Sequence, residues 1–270
     1  MGCEALINPA ERAEHAERIS GVRGRSAPPE ACGAFAFLLG SREGRHVMET
    51  EKTGRPAAFF DFDKTLLSTN SAKLGLWYLW RRGHLSSRFG FSVLVASIFY
   101  KQNLISEEAM ARYMIRFYKG KTIAPFAAGA EEFYHSVMKP HLAPRLLARA
   151  RAHKSLGHVL VLLSGSIRYY LEPVARDVGF DHLISTELEE GPGGVLTGRP
   201  RVLCVDANKK LLMTKLAEAE NLDLSRSSAY GNHQADIPIL SAVGHPYAVE
   251  PTRPLRKKAR EMGWPILTFR

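Results

Sequence analysis

The chain has 270 residues, 45% hydrophobic and 24% charged, with a formal net charge of +10. That length suits one large domain or a core with a smaller insertion, and the composition is that of an ordinary globular protein. Three cysteines, Cys3, Cys32 and Cys204, lie far apart with no CxxC pair, which argues against a zinc site or a disulfide framework and fits a cytoplasmic protein.

Residues 1–54 read as a peripheral, partly disordered N-terminal extension. Glu11 to Ile19 forms a short helical pattern, Gly21 to Glu30 is a Gly, Arg and Pro-rich linker, and Ala31 to Leu39 is a small apolar island. The opening lacks the order of a signal peptide. It also fails the myristoylation pattern, because Leu6 stands where Ser or Thr is required. Met48 is an alternative start.

Strand patterns begin at residue 57. "AAFF" (57–60) is a short apolar run that ends in "DFDKT" and reads as a buried strand carrying carboxylates at its C-terminal end. Between Leu66 and Met138 no strand pattern occurs. Helices are expected over roughly 70–82, 86–101, 106–118 and 122–138, too much chain for a simple crossover. This predicts a helical cap, residues 67–138, inserted into a core of residues 55–66 and 139–270. The apolar run from Phe89 to Tyr100 is far short of the 18 residues a spanning helix needs. It reads as a buried cap helix, with peripheral contact to a membrane surface as the alternative.

Further on, 142–156 and 209–219 are helical by their apolar spacing, and 158–166, 227–231, 246–250 and 264–269 are short strands. Residues 183–203, which include "EEGPGG", read as a hairpin or irregular excursion. The basic cluster Arg253, Arg256, Lys257, Lys258 and Arg260 reads as a solvated helix face, and no nucleic-acid-binding motif is present. Alternating strands and helices predict a three-layer, doubly wound parallel α/β sheet, with ligands bound beyond the strands' carboxyl ends. The polar strand ends 61–65, 164–166 and 231–236 then converge on one crevice.

In "DFDKT", Asp61 and Asp63 can divide the labour of phosphate-ester cleavage, one attacking phosphorus and the other serving as general acid and base. Like charges so close call for a divalent cation or a shared proton. Oxygen donors and phosphate suit magnesium. "DFDKTL" after an apolar strand resembles the first motif of the haloacid dehalogenase superfamily, DxDx[TV]. Ser164 in "LLSGS" and Lys209 in "NKK" match the second and third motifs, and "GNHQADIPIL" is similar to the fourth. Lys210 is the alternative to Lys209, which is preferred because Leu212, Met213 and Leu216 then set the helix's buried face. Asp236 matches the second acid of motif four, while Asn232 stands where an acid is usual, which implies weaker metal affinity. His233 is unusual in this turn and is expected to be exposed, with an approach to substrate as the alternative.

The resemblance covers about residues 56–268. With a cap directly after motif one, it points to the subfamily IB hydrolases, which include phosphoserine phosphatases. It implies a phosphoric monoester hydrolase that works through an aspartyl-phosphate on Asp61, with Asp63 as acid and base and with Ser164 and Lys209 on the phosphate. It implies Mg2+ held by Asp61, Asp63 (through its backbone carbonyl) and Asn232 or Asp236. Phosphoserine phosphatases carry a Glu where this chain has Asn70, so poor activity on phosphoserine is expected. The aromatic and basic cap residues Trp77, Tyr78, Trp80, Arg81, Arg82, His84 and Arg88 suit a larger small-molecule or lipid phosphate ester, unless the aromatics are core. Two other readings share the motifs: a phosphotransferase using the same intermediate, and a non-catalytic protein of this fold with a regulatory or membrane-docking role.

Overall fold

The computed structural model of the protein describes residues 54–102 and 104–269. The readings of the N-terminal extension, with Cys3 and Cys32, lie outside the described residues, Gly54 excepted. Strand β1 (Ala57–Phe60) is completely buried, as its unbroken apolar run requires. It is followed by the helices α1 (Ser71–Arg81), α2 (Ser87–Lys101), α3 (Glu107–Ile115) and α4 (Ala124–Phe133), which with their connections are called the cap below. The chain then continues through α5 (Pro144–Ser155), β2 (Val159–Ile167), α6 (Arg168–Val178), β3 (His182–Glu190), β4 (Leu196–Val202) and α7 (Asp206–Ala219). It ends with β5 (Ser228–Gly231), α8 (Ile237–Leu240), β6 (His245–Val249), α9 (Arg253–Glu261) and β7 (Ile266–Leu267).

The seven strands form one sheet in the order β4-β3-β2-β1-β5-β6-β7. β1 sits between β2 and β5 and is parallel to both. The sheet is not parallel throughout, because β4 is antiparallel to β3 at one edge. The excursion expected over 183–203 is a hairpin, but its first strand belongs to the main sheet and pairs in parallel with β2 from His182 onward. The hairpin turns through Gly193 and Gly194, both at positive φ, where a side chain would strain the backbone.

Alternate residues of β1 feed two cores, as a pleated strand must. Ala58 and Phe60 pack with residues of α5 and α6, while Ala57 and Phe59 pack with residues of α7, α8 and α9. This gives the three layers. A third cluster joins cap residues Leu79, Ile115, Tyr118 and Phe126 to Leu188 and Leu196 of the hairpin. The chain leaves and re-enters the core side by side: Ser68 N–H donates to His141 O at 2.8 Å, and Ala143 N–H to Leu66 O at 2.8 Å.

Two expectations need correction. The apolar run 89–100 is not a buried helix, since Val93 alone is buried on α2 and Phe91, Leu94, Ile98 and Phe99 are exposed. The helix is apolar on both faces, and only one of them finds a partner among the described residues. Of the cap aromatics, Tyr78 is core, but Trp77 and Trp80 are exposed. Arg253, Arg256, Lys257 and Arg260 are exposed on α9, as expected of a solvated face.

Phe60 is fully buried and stacks on Tyr230 of β5, with 4.4 Å between ring centroids. Phe60→Ala should therefore cost about 3–5 kcal/mol of stability, read from the denaturant midpoint. A loss under about 1 kcal/mol would show that this core does not hold β1 in place.

Candidate active site

The C-terminal ends of β1, β2 and β5 are neighbours because their strands are. Asp61 follows β1 directly, its amide anchored on Tyr230 O at 2.9 Å. The chain then turns sharply through Lys64, a non-glycine residue at φ 55°. Thr65 Oγ1 donates to Asp61 Oδ2 at 3.0 Å.

Lys209, in the first turn of α7, carries the charge of the site. Its Nζ lies 2.6 Å from Asp61 Oδ1 and 2.7 Å from Asp236 Oδ1, and all three residues are buried. Lys210 points out and is exposed, as the helix phase predicts. Burial works against the Lys209 ammonium, but Asp236 and Asp61 more than offset it, and its pKa stays well above the usual lysine range. For Asp61 burial is the largest influence and pushes the carboxyl up to about 7, with Lys209 opposing and Asp236 adding to the rise.

Asp236 is fixed from its other side. Its Oδ2 accepts from the Asn232 and His233 amides, both at 3.0 Å. This close approach requires glycine at 231, because a Cβ there would sit 2.6 Å from Asp236 Cβ. Asn232 is buried in the same turn.

Asp63 is half-buried and faces the cap. Its Oδ1 accepts from the amide of Ser71, the first residue of α1, where the helix dipole favours an anion. Its Oδ2 accepts from Ser71 Oγ at 3.0 Å and from Ser166 Oγ at 2.9 Å. Burial raises its pKa, and the bonds from Ser71 and Ser166 pull the other way. Ser164 is buried at the end of β2, two residues beyond Leu162, the partner of Phe60, and its Oγ accepts from Ser166 N–H at 3.2 Å.

The structure thus gathers Asp61, Lys209, Asn232 and Asp236 into one group and binds Asp63 to Ser71 and Ser166 beside it. Asn70 adjoins Ser71 but is engaged otherwise, and Arg81 stands apart. Asn70 Oδ1 accepts from Lys73 N–H at 3.0 Å and caps α1. Arg81 is exposed at the far end of that helix, roughly 15 Å along its axis from Ser71. Its guanidinium lies 4.9 Å from the Trp77 ring centroid.

His233 is half-buried rather than exposed. Its Nδ1 accepts from Ala235 N–H at 3.4 Å and lies 3.9 Å from Glu107 Oε2. Glu107, from the cap's α3, went unnoticed in the sequence, as did Thr65, Ser71 and Ser166. Burial pushes Glu107 up to about 7, against the pull of Lys209 and with Asp206 and Asp236 adding to the rise. Periodicity holds no signal for Glu107. Ser166 could have been suspected from "SGS", since both serines stand at the end of the same strand.

Asp61 and Asp236 are buried and share one ammonium, Lys209, while the half-buried Asp63 is bonded to Ser71 and Ser166 with no ion-pair partner among the described residues. Surplus negative charge and an all-oxygen donor set fit a hard divalent cation. Among the described residues no three His, Cys, Asp or Glu are grouped so as to hold an ion by themselves.

The sequence model of the haloacid dehalogenase-like hydrolases matches residues 58–241 of this chain. The inhibition of morphological differentiation protein of Streptomyces azureus is 28% identical over 225 residues, 82% of this chain and 81% of that protein. A phosphoserine phosphatase of Mycobacterium tuberculosis (strain ATCC 25618 / H37Rv) is 30% identical over 219 residues, 79% of this chain and 71% of that protein. A crystal structure of a Bordetella pertussis Tohama I protein superposes with a TM-score of 0.73 at 27% identity, covering 81% of this chain and all of that one.

Removing the shared ammonium leaves two buried carboxylates unpaired. Lys209→Met should destabilise the metal-free protein by about 3–5 kcal/mol, measured by denaturant unfolding, and adding Asp236→Asn should recover part of the loss. Equal stability of Lys209→Met and the parent would contradict the ion-pair assignment.

Proposed function

Since the chain belongs to the haloacid dehalogenase-like hydrolase family, we propose that this phosphatase cleaves phosphate monoesters through a covalent aspartyl-phosphate on Asp61 and depends on Mg2+. The observation that carries the reading is the Lys209 ammonium shared by Asp61 and Asp236 at 2.6 and 2.7 Å. It keeps a buried carboxylate beside a fixed positive charge, which suits an anionic ester and the charge of its displacement.

In the first step an Asp61 oxygen attacks phosphorus in line and the bond to the ester oxygen breaks. Asp63, whose pKa is raised by burial, gives that oxygen a proton and releases the alcohol. Asp63 then takes a proton from a water that attacks the same phosphorus, so phosphate departs and Asp61 is restored. Lys209 and Ser164 bind the equatorial phosphate oxygens. Magnesium would be held by Asp61, the Asp63 backbone carbonyl, Asn232 and Asp236, and would supply charge neutralisation for the phosphoryl group. Asn232 contributes no charge to that set, so binding should be weaker than with an acid there.

The substrates are small-molecule phosphate esters. Similarity to a phosphoserine phosphatase supports that class, but we place the preferred ester elsewhere, because the Asn70 amide oxygen is committed to the cap of α1 and offers an ammonium no charge. Cytoplasmic placement rests on the cysteine usage alone.

With p-nitrophenyl phosphate and magnesium, Asp61→Asn should abolish turnover and Asp63→Asn should lower it by roughly 10²–10⁴-fold, both with unchanged circular dichroism. Chelation should remove the parent's activity, and phosphoserine should be a poor substrate. Parent-like turnover in Asp61→Asn would overturn the mechanism. A clear preference for phosphoserine would overturn the substrate argument alone.

A further inference from the structure

The outer face of α2 has no partner among the described residues. Phe91 is 69% exposed, Leu94 59% and Ile98 49%, three side chains one turn apart on one side of the helix. Phe99 at 46% flanks them and Leu104 at 63% follows the helix end. The inner face is spent on the cap: Val93 is buried, and Phe89 stacks against Tyr113 of α3 at 6.1 Å. Contiguous exposed apolar surface of this kind marks an interaction site.

Charge shows what kind of partner fits. From Lys64 to Ser106 the sequence contains six basic residues, Lys64, Lys73, Arg81, Arg82, Arg88 and Lys101, and not one Asp or Glu, although Arg82 is ion-paired with Glu132 of α4. Arg88 lies three residues before Phe91 and is exposed, with no ion-pair partner among the described residues. On α1, Trp77 at 46% and Trp80 at 59% are exposed beside Arg81. A second copy of this face would meet it with like charge. An anionic lipid surface would meet Arg88 with opposite charge, and Phe, Leu and Arg together are side chains that settle at the boundary of headgroup and acyl chain. No described helix is long and apolar enough to cross a membrane, so α2 would lie in the surface plane.

We propose that the outer face of α2 docks the protein onto membranes rich in anionic lipid. Phe91, Leu94 and Ile98 enter the acyl boundary, and Arg88 binds headgroup phosphate. The docking itself does not depend on the catalytic reading.

The test is flotation of the full chain with vesicles of phosphatidylcholine mixed with phosphatidylglycerol, and with phosphatidylcholine alone. The parent should float with the anionic vesicles at low salt and stay behind with the neutral ones. Arg88→Glu changes the charge by two units and should weaken partition by roughly tenfold or more. Phe91→Ser/Leu94→Ser/Ile98→Ser should abolish flotation while leaving turnover of p-nitrophenyl phosphate at the parent level, which reports an intact fold. Failure of the parent to float would overturn the proposal, as would flotation of the triple variant like the parent. It would also fall if the parent were a dimer by light scattering and the triple variant a monomer, because a second copy would then own this face. Loss of turnover in the parent would leave the docking result standing and count only against the catalytic reading.

Discussion

One buried ammonium between two buried carboxylates organises this protein. Lys209 comes from a helix that follows the β3–β4 hairpin, Asp61 from the end of β1 and Asp236 from the turn after β5, and the three meet within 2.7 Å. Burying such charges is costly, and their mutual attraction offsets the cost only where geometry is tight and the remaining lone pairs are satisfied. Here they are satisfied: Thr65 serves Asp61, and two backbone amides serve Asp236. The charge cluster therefore demands the exact sheet order that places β1 beside β5, and with it a glycine at 231 to let Asp236 approach.

The same sheet order ties the cap to the chemistry. α1 begins a few residues after β1, and its first amide and hydroxyl reach back to Asp63. At the other side of the cap, Glu107 of α3 approaches His233, which follows Asn232 in the turn after β5. The cap thus touches both the acid assigned to proton transfer and the turn that holds Asp236. Its remaining inner surface rests on the hairpin through Leu188 and Leu196, so β3 and β4 serve as the platform under the cap rather than as a plain sheet edge.

Much of the fold could be read directly from residue patterns. β1 and the first five residues of β2 are unbroken apolar runs because both strands are buried from either side there, and β2 then continues through the polar "SGS". The phase of α7 told Lys209 from Lys210. β3 escaped because its parallel half, "HLIST", is short and mixed, and it runs straight into a hairpin whose glycines dominate the pattern. The exposure of α2 could not be read at all: a helix apolar on both faces has the same sequence whether one face or both find partners. The hydrogen bond of Ser166 to Asp63 and the approach of Glu107 to His233 join residues distant in the chain through tertiary packing alone, so no local spacing announces them. Asn70 is a different lesson, since a helix-capping amide directly before "SAK" is a local signal.

The central claim is that Asp61 becomes covalently phosphorylated during turnover. Borohydride quenching of the enzyme during hydrolysis of a phosphate ester, followed by peptide mass spectrometry, tests this directly, because reduction converts an aspartyl-phosphate to homoserine. The account predicts homoserine at position 61 only when substrate is present. Steady hydrolysis with homoserine at no position, or at a position other than 61, would contradict it.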